Sequence, residues 1–140
     1  MRLEITPYVQ AGPVRFGAER EEVRRLIGGP VEEFRKSPDS GLPVDDFIGT
    51  GIHVYYGPAG TCQAVEMALP AEPILHGQML LALGFADLRM WLSQMDRDLH
   101  VDDDGLTSLA LGIGIFAPYS VQAPHEPAEA VIAFERDYYA

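Results

Sequence analysis

Residues 51–69 read GIHVYYGPAGTCQAVEMAL, and this stretch decides the fold. Apolar side chains alternate with His53 and Tyr55 at the two-residue period of a β-strand. A glycine- and proline-rich turn follows, and residues 62–69 supply a returning strand. The stretch therefore predicts a β-hairpin with a short loop.

A helix is predicted upstream of the hairpin, within residues 14–30. Acidic residues occupy its first turns and arginines its last, as the helix dipole favours. Val23, Leu26 and Ile27 form an apolar stripe, and the run Gly28-Gly29-Pro30 ends the helix.

The same order of signals recurs in the second half of the chain. Residues 85–95 have helical periodicity, and residues 112–116 and 128–135 have strand character. The matched stretches keep their order while their offsets change with loop length, which predicts an internal duplication. The matches pair 51–55 with 112–116, 63–66 with 129–132, and Asp45-Asp46 with Asp103-Asp104.

These patterns predict an α+β fold made of two helix-plus-β-hairpin repeats. The repeats cover about residues 14–70 and 74–136 of a single domain spanning 1–140. We expect four main strands in one antiparallel sheet, with both helices on one face, because neither repeat alone buries enough apolar surface.

Composition indicates a globular protein, with 47% hydrophobic and 22% charged residues. The sequence contains no apolar run long enough for a membrane span and no signal-peptide pattern, so we expect a cytoplasmic location. The single cysteine, Cys62, is predicted to be a small buried side chain rather than a catalytic thiol.

The net charge is −11, and residues 37–140 hold 15 acidic side chains against three basic ones. This excess argues against nucleic acid and anionic membranes as partners, since both bind clustered cations. It is compatible with a basic protein partner, and equally with a role in solubility alone.

The stretch VDDDGLTS, residues 101–108, is the most chemically suggestive in the chain, because three carboxylates stand in a row before a glycine. An acidic turn, a partner-facing patch and a metal site are the three interpretations. The calcium loop of an EF-hand needs alternating acids and a glutamate at its twelfth position, where this chain has Ile113. The turn is therefore favoured, and Asp102, Asp103 and Asp104 are the candidate patch.

No motif for catalysis, a metal or a cofactor is found, because the histidines lack zinc spacing and neither a nucleophile elbow nor a phosphate-binding loop occurs. If Ile52 and Val54 face the core, His53 and Tyr55 lie on the exposed face of their strand. We take His53 and Tyr55 as further candidate binding residues, with an ordinary surface role as the alternative.

Residues 14–30, with Phe16-Gly17 before the helix and Gly28-Gly29-Pro30 after it, resemble a unit of small bacterial proteins. The outer-membrane assembly lipoproteins of the SmpA type have this unit once, and the beta-lactamase inhibitor protein has it twice. Those families are exported, so their location and role do not carry over. In size, acidity and layout the chain also resembles bacterial immunity proteins.

The sequence thus predicts a non-enzymatic acidic binding protein, such as an immunity-type inhibitor or adaptor that recognises a more basic protein. The alternative is a small-molecule-binding protein or enzyme with its pocket between sheet and helices. The tyrosines and sheet edges are also compatible with a homodimer.

Overall fold

The computed structural model describes residues 1–35 and 42–139, so most of the loop predicted at 37–43 lies outside the described residues. Two short helices and thirteen strands are present in this part of the chain. They are β1 (Arg2–Thr6), β2 (Gln10–Ala11), β3 (Val14–Arg15), α1 (Arg20–Ile27), β4 (Val31–Arg35), β5 (Pro43–Phe47), β6 (Ile52–Tyr56), β7 (Cys62–Met67), β8 (Glu72–Leu75), β9 (Gln78–Met79), α2 (Phe85–Ser93), β10 (His100–Asp102), β11 (Gly105–Ser108), β12 (Ile113–Phe116) and β13 (Ala130–Phe134).

The predicted α+β class is confirmed, and the strands form two sheets. The larger sheet has eight antiparallel strands in the order β10-β11-β12-β13-β7-β6-β5-β4. Its inner pairs β6–β7 and β12–β13 correspond to the two hairpins predicted from the sequence. The pairing of β7 with β13 joins them into one sheet.

The expectation of a single four-stranded sheet is wrong. A second, smaller sheet has the order β3-β2-β1-β8-β9, and it contains a parallel pair, β1 with β8. Several of the additional strands have only two or three residues, and the outermost strands β4 and β10 are mostly solvent-exposed. Short, exposed strands lack the alternation of apolar and polar residues from which strands are predicted.

One hydrophobic core contains side chains from both helices and both sheets. Val23 of α1 and Leu88 and Leu92 of α2 are fully buried there, together with inward-facing residues of the larger sheet. Trp91 packs against this core while remaining partly exposed. Leu26, predicted to belong to the buried stripe of the first helix, is instead 42% exposed.

The predicted equivalence of Asp45-Asp46 with the Asp103-Asp104 turn is also wrong. Asp45 lies in the middle of β5 and is fully buried, opposite Val54 of β6. An acidic pair normally indicates a turn because an unpaired buried carboxylate is costly. Here hydrogen bonds from side chains of α1 offset that cost. Those side chains are distant in sequence, so the residues around Asp45 give no sign of them.

Two arginines and a tyrosine bind the Asp45 carboxylate. Arg24 donates hydrogen bonds through Nε and Nη2 at 2.9 and 2.7 Å, and Arg20 donates through Nη2 at 2.9 Å. The Tyr56 hydroxyl also donates a hydrogen bond to this carboxylate, at 2.9 Å. These contacts hold α1 against β5 and β6.

Within the described residues, neither helix has the length and apolar character needed to cross a membrane.

Candidate functional site

The two faces of the larger sheet differ in what covers them. Ile52, Val54, Val65 and Met67 point to the core and are fully buried. Of the side chains that alternate with them, His53 and Glu66 are partly exposed, whereas Ala64 is buried. The prediction that His53 and Tyr55 lie opposite Ile52 and Val54 is therefore confirmed, although Tyr55 is half-buried rather than fully exposed.

We call this second surface the open face. One row of directly paired residues crosses all eight strands on it, because each residue faces the next across a strand pair. In order, the row is Glu32, Asp46, His53, Glu66, Ile132, Gly114, Thr107 and His100.

His53 lies between two carboxylates in this row. Its Nε2 is 3.3 Å from Asp46 Oδ1, and its Nδ1 is 3.3 Å from Glu66 Oε1. A neutral imidazole has one N–H, so only a protonated His53 can donate to both. The ring of Phe34 meets the imidazole edge-on at 5.3 Å, which fixes its position further.

Tyr55 is joined to the same group through Glu66. Burial raises the pKa of Tyr55, and the neighbouring Glu66 carboxylate, to which its hydroxyl is hydrogen-bonded, raises that pKa further. The phenol therefore stays protonated at neutral pH and serves as a hydrogen-bond donor.

The acidic stretch forms a tight turn between β10 and β11, as predicted. Asp102 is paired with Gly105, and the Asp104 N–H donates to Asp102 Oδ1 at 2.8 Å. Gly105 has φ of 142°, and a Cβ there would lie 1.8 Å from the Ile115 carbonyl oxygen, so only glycine fits.

The turn and the open face meet at a shallow trough of about 180 Å³. Glu66 contributes to its lining on the β7 side, and Asp102 and Asp104 contribute on the β10 side. Gly114 and Ile132 lie between these ends. Asp103, the third candidate, is exposed but does not line the trough.

Aromatic side chains from the end of the described chain border the same face. Tyr138 stacks on Phe134 with centroids 5.6 Å apart, and Tyr139 meets Phe134 edge-on at 5.0 Å. Tyr139 is 60% exposed and contributes to the trough wall.

The sequence predicted His53, Tyr55 and Asp102–Asp104 separately, and the structure connects four of them through Glu66. Glu66 contacts His53 and Tyr55 directly and shares the trough with Asp102 and Asp104. The alternation of residues 64–67 could have placed Glu66 on this face. No pattern in the sequence could have assigned Gly114 and Tyr139 to this site.

The one cysteine of the chain lies in the hydrophobic core. Cys62 is buried, and burial raises the pKa of its thiol to about 12, so it is the small buried side chain that was predicted. Residues 1–35 and 42–139 contain no group of three or more histidine, cysteine or acidic side chains that could hold a metal ion.

Comparison of the chain with protein-family models, with curated proteins and with solved structures gives no match.

Proposed function

We propose that the chain is a non-enzymatic binding protein that recognises a basic protein surface through the open face of its larger sheet. Immunity-type inhibitors and adaptors are the class of protein to which this activity belongs. The observation that carries the proposal is the charge of the open face.

Among the described strand residues, four carboxylates lie on the open face, and no lysine or arginine does. The registers assign Glu32, Asp46, Glu66 and Asp102 to it. A surface of one sign steers and orients a partner of the opposite sign. It also disfavours a second copy of this chain, which would bring the same carboxylates to the interface.

Exposed aromatic rings lie among these charges. Phe34 is 37%, Phe116 47% and Tyr139 60% exposed, and all three border the open face. Aromatic residues are enriched at protein interfaces because they bury a large area with little loss of side-chain freedom. Carboxylates with exposed aromatic rings among them are the composition of a protein-binding surface.

The packing between the larger sheet and the helices favours binding at the protein surface over binding in an enclosed pocket. Val54, Met67, Leu88 and Leu92 fill that region and are fully buried. The described surface depressions lie elsewhere: on the open face, at loops and strand ends, and beside the outer surface of α1 at Glu22 and Leu26.

We further propose that the chain arose by duplication of a helix followed by four strands. That order occurs as α1 with β4–β7 and again as α2 with β10–β13. The strand order of the larger sheet is symmetric about the pairing of β7 with β13. This layout resembles that of the beta-lactamase inhibitor protein, which carries its unit twice.

The test compares two variants that remove equal charge. The face-neutral variant carries Glu32→Gln, Asp46→Asn, Glu66→Gln and Asp102→Asn. The control variant carries Glu4→Gln, Glu21→Gln, Asp87→Asn and Asp98→Asn at exposed positions away from the open face.

Each tagged protein is used to capture partners from host-cell extract at low and moderate salt. We expect wild type and control to capture the same basic protein, with salt weakening capture, and the face-neutral variant to lose it. Equal capture by both variants would show that the open face is not the binding surface.

A further inference from the structure

Gly114 lies in the floor of the trough on the open face, among apolar side chains. It lies in β12, and a Cβ there would come within 3.0 Å of Ile132 Cγ2. Gly114 is itself buried, and Ile132, Ala130 and Phe116 line the trough beside it. The centre of the trough is apolar.

The carboxylates lie toward opposite sides of this apolar centre. Glu66 is on β7, whereas Asp102 is on β10, and β13, β12 and β11 lie between them. Four strand spacings correspond to about 19 Å between their backbones. A single metal ion or a single cationic side chain cannot bridge groups so far apart.

We infer that the trough binds an extended segment of the partner that carries two basic side chains on either side of an apolar one. The basic side chains pair with Glu66 at one end and with Asp102 and Asp104 at the other, and the apolar side chain lies over Gly114. This inference rests on the proposed function and names the part of the partner that the open face recognises.

The spacing of such a segment follows from chain geometry. In an extended chain, residues four apart have Cα atoms about 13 Å apart, and two lysine or arginine side chains span the remainder. Tyr139, at the wall of the trough, offers a ring face for one of the cations. The lining residues include no lysine or arginine to repel them.

The probe is the blocked peptide Lys-Gly-Leu-Gly-Lys, titrated into the isotope-labelled full chain at neutral pH and low ionic strength. Three matched peptides vary one property each: Lys-Gly-Gly-Gly-Lys lacks the apolar side chain, Glu-Gly-Leu-Gly-Glu reverses the charges, and Gly-Gly-Leu-Gly-Gly removes them. We expect amide shifts confined to β7 and β10–β13 for the first peptide. The second should bind more weakly, and the last two should not bind.

Three variants test the assigned residues. Gly114→Val fills the trough, and Asp102→Asn and Glu66→Gln each remove one charge while keeping the shape of the side chain. We expect Gly114→Val to abolish the shifts and each charge variant to weaken binding about twofold to fivefold, as for exposed ion pairs. Glu4→Gln, on the smaller sheet, should bind as wild type does.

The thermal midpoint of Gly114→Val shows whether the variant is folded, and the two charge variants test the site independently of it. Shifts spread over the whole surface, or equal affinity for the first two peptides, would overturn the inference. If the peptides fail while partner capture still requires the open-face carboxylates, only this inference is wrong. If the face-neutral and control variants capture equally, the proposed function is wrong as well.

Discussion

Asp45 joins α1 to the β4–β5 end of the larger sheet. Burial alone would raise the pKa of its carboxyl, but hydrogen bonds from Arg24, Arg20 and Tyr56 outweigh burial and lower that pKa to about 2. The ionised carboxylate is therefore stabilised by folding. The local sequence could not reveal this, because the arginines are on α1, more than twenty residues earlier.

We predict that Asp45→Asn lowers the free energy of unfolding at neutral pH by about 2 kcal/mol, the energy equivalent of the shift in pKa. Because the folded pKa is below the ordinary value of 3.8, the contribution is present above that value and decreases as the pH falls toward about 2. Denaturant unfolding of both proteins at neutral and acidic pH measures the difference. A difference that stays constant through this range would contradict the assignment, and Asp103→Asn in the exposed turn is the control.

Gly105 offers a second test at the residue scale. We predict that Gly105→Ala destabilises the protein more than Gly60→Ala does. Both glycines have positive φ, but a Cβ at Gly105 would lie 1.8 Å from the Ile115 carbonyl oxygen, whereas none of the neighbouring atoms lies within 4 Å at Gly60. Gly60→Ala should cost about 1 kcal/mol from backbone strain alone. Equal thermal midpoints for the two variants would argue against the close approach of β11 and β12.

At the scale of elements, the helices and the inner strands could be predicted because their core-facing side chains repeat at the helical or strand period. β6, with His53 and Tyr55 alternating with buried neighbours, is the clearest case. β5 could not be predicted, because the buried Asp45 interrupts its apolar pattern. β10 is exposed along its length, so its place in the sheet comes from pairing with β11 and not from burial.

A buried hydrogen bond connects the end of α2 to β11. Ser108 Oγ donates to Asp96 Oδ2 at 2.6 Å and accepts from the Leu111 N–H at 3.1 Å. We predict that Ser108→Ala costs about 1–3 kcal/mol, because it removes one donor to the buried Asp96 carboxylate and the acceptor of the Leu111 N–H. Ser93→Ala at the exposed end of α2 is the matched control and should change stability by less than about 0.5 kcal/mol. Similar midpoints in denaturant for both variants would refute this role for Ser108.

At the scale of the whole molecule, the open face is a property of the sheet and not of any one segment. Its carboxylates come from β4, β5, β7 and β10, which span the chain from Glu32 to Asp102. The sequence indicates that the protein is acidic, and it identifies two of the strand residues on this face. It cannot indicate that these strands share one sheet, because their register depends on long-range pairing.

Repulsion on this face should be visible in the stability of the folded protein. Glu32 and Asp46 face each other directly across β4 and β5, and like charges in that position are destabilising. We predict that added sodium chloride raises the thermal midpoint of wild type and of the control variant, and raises that of the face-neutral variant less. An equal rise in all three would place the repulsion elsewhere.

The dissociation constant of the captured partner for the face-neutral variant, compared with that for the control variant, tests the central claim most directly. Isothermal titration at physiological salt provides both values, and the two proteins have the same net charge. We predict at least about tenfold weaker binding to the face-neutral variant, which corresponds to ~1.4 kcal/mol. Equal dissociation constants would contradict recognition through the open face.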